Sequence, residues 1–418
     1  MSQGSALITN DAVVLGMLSL ILGAVFWTHQ SRHPFWVKFY SVVPVLLLCY
    51  FLPSLLNTFG IVDGARSNVY YVCSRYLLPA CLVMLILTVD LPSVLRLGPR
   101  ALAMFLTGTL GIVIGGPLAI LIVSTFSPET VGGAGPDAVW RGMTTIAGSW
   151  IGGSPNQTAM KEVFEVGDAV FSQMVTVDVI CGSIWLAVLL FASSRAGSID
   201  RYTGADTSAI EALKRKVEQF HAEHARIPRL QDLIYLLAIG FGVTGAAHAV
   251  ADVLAPWLRD HAPGLDRLSL TSEFFWIVVI ATTAGLALSF TRARQLEGAG
   301  ASTVASAFVY LIVAAVGMKM DVTAIAENPG LFGVGMIWIG IHAALMVIVA
   351  WLIRAPLFYV AVGSQANIGG AASAPLVASV FHPSLAPVGV LLAVLGYAVG
   401  TYAAWLCGQL MRIAAGSP

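Results

Sequence analysis

Charge is scarce in this chain. Asp, Glu, Lys and Arg together make up 11% of its 418 residues, against about 25% in soluble domains. The 22 basic and 22 acidic residues cancel, so there is no basic excess to draw nucleic acid, which is excluded as a partner. Five cysteines are present, Cys49, Cys73, Cys81, Cys181 and Cys407, without a CxxC pair or metal-ligand spacing. All sit in or beside apolar runs, which predicts buried packing residues rather than a disulfide framework or a redox pair. No Lys or Arg precedes Arg32, so the basic region of a cleavable signal peptide is missing and residues 11–28 are expected to remain as a first span. A P-loop is also absent, which leaves an ion gradient as the energy source. His221-Ala-Glu-His224 has its histidines three apart, not four, and Glu223 out of place, so it is not a zinc-protease helix. No cofactor is expected beyond a coupling ion, Na⁺ or H⁺.

What the chain has in quantity is apolar sequence: 57% of its residues are hydrophobic and the mean hydropathy is +0.83. Apolar segments run at roughly 7–28, 38–55, 70–89, 101–124, 139–160 and 169–192. After a polar stretch, others follow at roughly 231–255, 272–290, 303–320, 331–353, 356–380 and 385–412. A span needs about 20 apolar residues, so all qualify by length. The lipid bilayer is therefore the first partner, and a multi-pass membrane protein is expected.

The fifth segment breaks the pattern. Gly148-Ser-Trp-Ile-Gly-Gly-Ser-Pro-Asn-Gln-Thr158 holds adjacent glycines, a proline and a run of hydroxyl and amide side chains. Ile151–Phe164 aligns without a gap on Ile368–Phe381, which begins with the same Ile-Gly-Gly. Asp90–Pro99 likewise matches Asp321–Pro329, and one longer loop near Phe126–Asp137 reconciles the two offsets. Glycine- or proline-broken segments at equivalent places in two halves point to a transporter's binding site.

Charge then sets topology. Arg32 and Lys38 place the first loop inside, and Arg96 and Arg100 the third, whereas Glu129 and Asp137 suit an outside loop. The basic linker belongs inside only if the fifth segment dips into the membrane and returns. The same holds for the segment near Gly369-Gly370, from the opposite face. The expected fold class is an all-α polytopic membrane protein: two inverted five-span repeats, each with a re-entrant or broken Gly-Gly hairpin. Residues 1–192 form the first repeat and 231–418 the second. Between them, 193–230 is a cytoplasmic linker with a surface helix over 207–220, patterned by Ile210, Leu213, Val217 and Phe220.

Broken helices expose amide N–H groups that suit an anion and carbonyls that suit a cation. The substrate- and ion-binding candidates are therefore Ser149, Gly152, Gly153, Ser154, Asn156, Gln157 and Thr158 in the first hairpin. In the second they are Ser364, Gln365, Asn367, Gly369, Gly370 and Ser373. Asp178 lies well within the sixth segment, where an ionisable group is expensive and functional by default. Its roles are Na⁺ ligand, proton carrier or partner to a substrate amine, and Na⁺ is expected near Asn156, Asp178 and Asn367. Lys161, Glu162, Glu165 and Asp168, where the first hairpin exits, read as a solvated rim. His248, His342 and His382 read as packed or hydrogen-bonded singles.

The Gly-Ser-Trp-Ile-Gly-Gly-Ser-Pro-Asn stretch, its Ile-Gly-Gly echo and the five-plus-five count resemble the uncharacterised bacterial YjcL-like membrane proteins. More distantly the chain is similar to the sodium/glutamate symporters and the 2-hydroxycarboxylate transporters. Their GGxG-type motif is matched at Gly152, Gly153, Gly369 and Gly370, with Pro155 and Ala372 where the final glycine stands. The resemblance implies a homodimer working by an elevator movement of a core that carries both hairpins. The expected function is Na⁺- or H⁺-coupled secondary transport of a small organic anion or amino acid, and not an enzyme. The alternative is an intramembrane enzyme using Asp178 and a hydroxyl such as Ser154.

Overall fold

The computed structural model describes residues 7–40, 43–64, 66–90, 94–95, 97–205, 229–320, 328–382 and 385–417. The helix expected over 207–220, the stretch from His221 to His224, and Asp321 and Glu327 lie outside the described residues. Among the described residues the fold is helical, apart from one bridge between Ile8 and Val62. The first half comprises α1 (Asp11–His29), α2 (Pro34–Tyr40), α3 (Val45–Thr58), α4 (Asn68–Leu87), α5 (Pro99–Ser124), α6 (Val139–Val163) and α7 (Asp168–Ser193). After α8 (Ala196–Thr203), the second half comprises α9 (Leu230–His261), α10 (Glu273–Ser289), α11 (Ala301–Gly317), α12 (Gly330–Leu352), α13 (Leu357–Ile368), α14 (Gly370–Phe381) and α15 (Ala386–Ala414).

Seven of these, α1, α4, α5, α7, α9, α12 and α15, are long and apolar enough to cross a bilayer. The number reaches nine if two bent pairs, α2 with α3 and α10 with the 3₁₀ segment Arg292–Ala299, each form one span. The other three expected spans correspond to the shorter apolar helices α3, α10 and α11. Their starts have local causes. Pro44 precedes α3, the Ser272 hydroxyl caps α10 by accepting from Phe275 N–H, and Gly300 enters α11 at φ +86°.

The broken segments fold back on themselves. A straight helix of 25 residues would hold its ends about 36 Å apart. In α6 the Arg141 guanidinium instead donates to the Phe164 carbonyl, and the Trp140 and Phe164 rings meet edge to face at 6.0 Å. The reversal occurs at Gly152 (φ −136°) and Gly153 (φ +69°, ψ −173°), the latter a conformation open essentially to glycine alone. Helices α13 and α14 repeat the arrangement. Phe358 and Phe381 close the hairpin mouth at 5.3 Å, the Ser373 hydroxyl donates to Gln365 Oε1 at 2.6 Å, and Gly370 has φ +57°. The second glycine of each aligned pair thus takes a positive φ. Both segments are helical hairpins.

The helices pack into two bundles. The first three apolar helices of each half, α1, α3 and α4 with α9, α10 and α11, form a flanking bundle. The rest, α5, α6 and α7 with α12 to α15, form a hairpin bundle. Contacts also sort the loops into two ends. At one end Asp11 accepts from Ser67 and Asn68, Arg75 pairs with Glu162, and Asn328 donates to the Thr130 carbonyl. At the other, Arg294 pairs with Asp90 and the Leu357 N–H donates to Asp200.

Candidate functional site

Asp178 is the eleventh residue of α7 and is buried, 7% exposed. Its Oδ1 accepts from Trp150 Nε1 at 2.7 Å and its Oδ2 from Gln157 Nε2 at 2.8 Å. Trp150 lies before the break in α6 and Gln157 after it, so one carboxylate ties together both arms of the first hairpin. The Ser149 hydroxyl stands beside it. Gln157 Oε1 in turn accepts from the Tyr50 hydroxyl at 2.9 Å, which carries the network into the flanking bundle. Among the described residues no basic side chain pairs with Asp178. A carboxylate served only by neutral donors in an apolar interior is costly as an anion.

The two hairpin tips meet on α15. A side chain at Gly396 would come within 2.7 Å of the Ile151 carbonyl and 3.3 Å of the Ala366 carbonyl, one from each hairpin. One turn later, Gly400 would meet Gly152 Cα at 2.7 Å. Only a helix face without side chains permits this approach.

Each hairpin is fastened by an asparagine in the same way. Asn156 Nδ2 donates to the Gly152 and Tyr397 carbonyls at 3.0 and 3.1 Å, and its Oδ1 accepts from the Thr401 hydroxyl at 2.7 Å. Asn367 Nδ2 donates to the Gly363 and Phe105 carbonyls at 2.9 and 3.0 Å, and its Oδ1 accepts from the Thr109 hydroxyl at 2.8 Å. The first hairpin is thereby fixed to α15 and the second to α5. Ser364 Oγ accepts from Trp185 Nε1 at 2.8 Å and bonds His342 Nε2 at 2.8 Å, while His342 Nδ1 reaches the Gly108 carbonyl at 3.0 Å. Trp185 and Asp178 are seven residues apart on α7, so that helix is gripped by both hairpins.

The remaining candidates lie at or near the breaks. The Thr158 hydroxyl bonds back to the Ser154 carbonyl at 3.1 Å, and Ser154 itself is half-buried. Gln365 Nε2 is buried with no partner. One expectation is overturned in part. Of the four residues read as a solvated rim, Lys161 is 4% exposed and pairs with Asp168 at 2.6 Å, and Glu162 is largely covered and pairs with Arg75 at 3.0 Å, whereas Glu165 is exposed and the Asp168 side chain is 40% exposed. The last turn of α6 thus carries Lys161 and Glu162 in between the two bundles, while Glu165 and Asp168 beyond it keep contact with water.

Sequence reasoning missed Tyr50, Trp150, Trp185, Thr109, Tyr397 and Thr401, together with Gly396 and Gly400. Aromatic, threonine and glycine residues are ordinary in membrane helices. A usable signal existed only in the spacing of Gly396 and Gly400.

A chain helical throughout its described residues, apart from one short bridge, with buried polar clusters gathered at two broken hairpins, is a multi-pass integral membrane protein of transporter-like architecture. The chain belongs to the family described as protein of unknown function (DUF819), which matches residues 16–414. It is similar to the uncharacterized membrane protein YjcL of Bacillus subtilis (strain 168), with 24% identity over 350 residues, 82% of this chain and 84% of that protein.

Proposed function

We propose that the protein is a secondary active transporter, coupled to Na⁺ or H⁺, that carries a small organic anion or amino acid across a bacterial inner membrane. One observation carries the reading: two glycine-broken hairpins whose tips converge at Gly396, with the buried carboxylate of Asp178 tied to the first. Broken helices with free backbone groups are tolerated at membrane depth where they line a pathway or a site. Among the described residues Asp178 has no counter-charge, which a bound cation or a proton supplies. The two halves are inverted repeats in this reading. The hairpin bundle moves past the flanking bundle as an elevator, in a homodimer held by the flanking bundles.

Thermal unfolding of the purified protein against a panel of organic anions and amino acids, with and without Na⁺ and across pH, tests this proposal. At least one compound is expected to stabilise the protein, more strongly with the coupling ion, because a ligand stabilises the state it binds. If nothing stabilises it and proteoliposomes take up none of the panel, the reading fails.

Topology gives a separate expectation. The end bearing Arg100, Arg195, Arg201, Arg292, Arg294 and Arg354 is the cytoplasmic one by the positive-inside rule. Tyr202 on α8 is 94% exposed, so Tyr202→Cys should react with an impermeant maleimide only after the cytoplasmic side is opened. Labelling from outside intact cells would turn the molecule over and exchange the faces from which the two hairpins enter.

A further inference from the structure

Where α6 leaves the hairpin bundle, the two bundles part around a cavity of about 770 Å³. Its deeper wall is unusually rich in charge for a chain so poor in it. Lys161 Nζ and Lys319 Nζ both reach Asp168, at 2.6 and 3.3 Å. Both also stand over the ring of Tyr70, 4.8 and 4.4 Å from its centre. Arg75 Nη2 pairs with Glu162 Oε2 at 3.0 Å, and the Tyr70 hydroxyl donates to Glu162 Oε1. Arg75 Nη1 is buried and has no hydrogen-bond partner, and the guanidinium carbon lies 4.3 Å over the Phe274 ring.

Three cations therefore face two carboxylates, which leaves a surplus of one positive charge and one guanidinium N–H group without an acceptor. Unspent donors in a buried setting are costly, and a bidentate oxyanion is what a guanidinium and an ammonium group recognise together. The cavity has room for a small molecule and opens at the end assigned above to the outer face. Its exposed rim has the opposite balance, with Glu165, Asp252 and Glu273 against Arg259.

We propose that this cavity binds the carboxylate of a small organic molecule, held by Arg75 and the two lysines. The outward direction of loading rests on the transport reading, but the site itself does not. The rest of the ligand is either a second acid or an ammonium group, and the acidic rim suits the latter.

Isothermal titration of the purified full-length protein at low ionic strength, with succinate and with L-alanine as probes, tests the site. At least one probe should bind saturably; succinate alone marks an organic-acid site, L-alanine alone a zwitterion site. Lys319→Gln should weaken that binding about tenfold, the scale of one charge-assisted hydrogen bond. Glu162→Gln removes a competing carboxylate and frees Arg75, so it should tighten binding, which a variant that merely misfolds cannot do. The proposal is overturned if neither probe binds, if either variant leaves affinity unchanged, or if both shift it in the same direction. Binding that follows this pattern without uptake into proteoliposomes would sink the transport reading alone. Uptake with affinity indifferent to both variants would sink only the site.

Discussion

Asp178→Asn is expected to abolish the Na⁺ or proton dependence of ligand binding while leaving a folded protein. The geometry explains why folding survives. The new amide oxygen can still accept from Trp150 Nε1. Gln157 can turn its own amide over, accept from the new N–H group and donate to Tyr50, whose hydroxyl accepts as readily as it donates. Every group keeps a partner, so the stability cost should stay near 1 kcal/mol. What is lost is the charge. A ligand at a hundredfold excess over its Kd stabilises by about 2.7 kcal/mol. In the wild type that stabilisation should require the coupling ion, and in the variant it should be the same with and without it. The check is a series of unfolding curves across Na⁺ concentration and pH for both proteins. An ion dependence that persists in the variant would move coupling away from Asp178.

The second large effect is expected at Gly396→Ala. The added methyl would sit 2.7 Å from the Ile151 carbonyl and 3.3 Å from the Ala366 carbonyl. Retreat from one hairpin does not relieve the other. Alanine gains about 1 kcal/mol over glycine in a helix interior, but overpacking typically costs about 1–3 kcal/mol, and here the obstacle is backbone rather than a pliable side chain. Gly23 on α1 has nothing within 4 Å of an added Cβ, so Gly23→Ala should be neutral or stabilising. The two variants should differ by about 2 kcal/mol or more in unfolding measurements, with Gly396→Ala the weaker and the less competent in ligand binding. Equal stability would mean that the hairpin tips do not bear on α15.

The sequence was most readable where a residue was out of place. Asp178, Asn156, Gln157 and Asn367 stand out because polar groups are expensive in a span, and all four prove to be buried and hydrogen-bonded. The paired glycines were legible as backbone breaks for the same reason, and Gly153 and Gly370 carry the positive φ that only glycine takes cheaply. Partners were not legible. Nothing in the local sequence of Tyr50 or Thr401 marks them, since what singles them out is a neighbour more than a hundred residues away. Lys161 was misread because a charge at the end of an apolar run usually faces water. Lys161 stands instead over the Tyr70 ring and pairs with Asp168.

The asparagine fastenings limit how such a molecule can open. To swing either hairpin tip aside like a lid would sever one amide and one hydroxyl hydrogen bond to the neighbouring helix, each worth about 1–3 kcal/mol if left unmade. The seam between the bundles is built differently. Away from its ends it is crossed by hydroxyls, Tyr50 to Gln157, Thr282 to Thr401 and Thr283 to Tyr402. A hydroxyl rotates, donates and accepts, so it exchanges partners as surfaces slide. The hairpins are bolted to their own bundle, whereas the seam is built like a bearing. In the transporter proposed above, exchange of access from one side of the membrane to the other would be a translation of the whole bundle, with both tips travelling as fixed cargo holders.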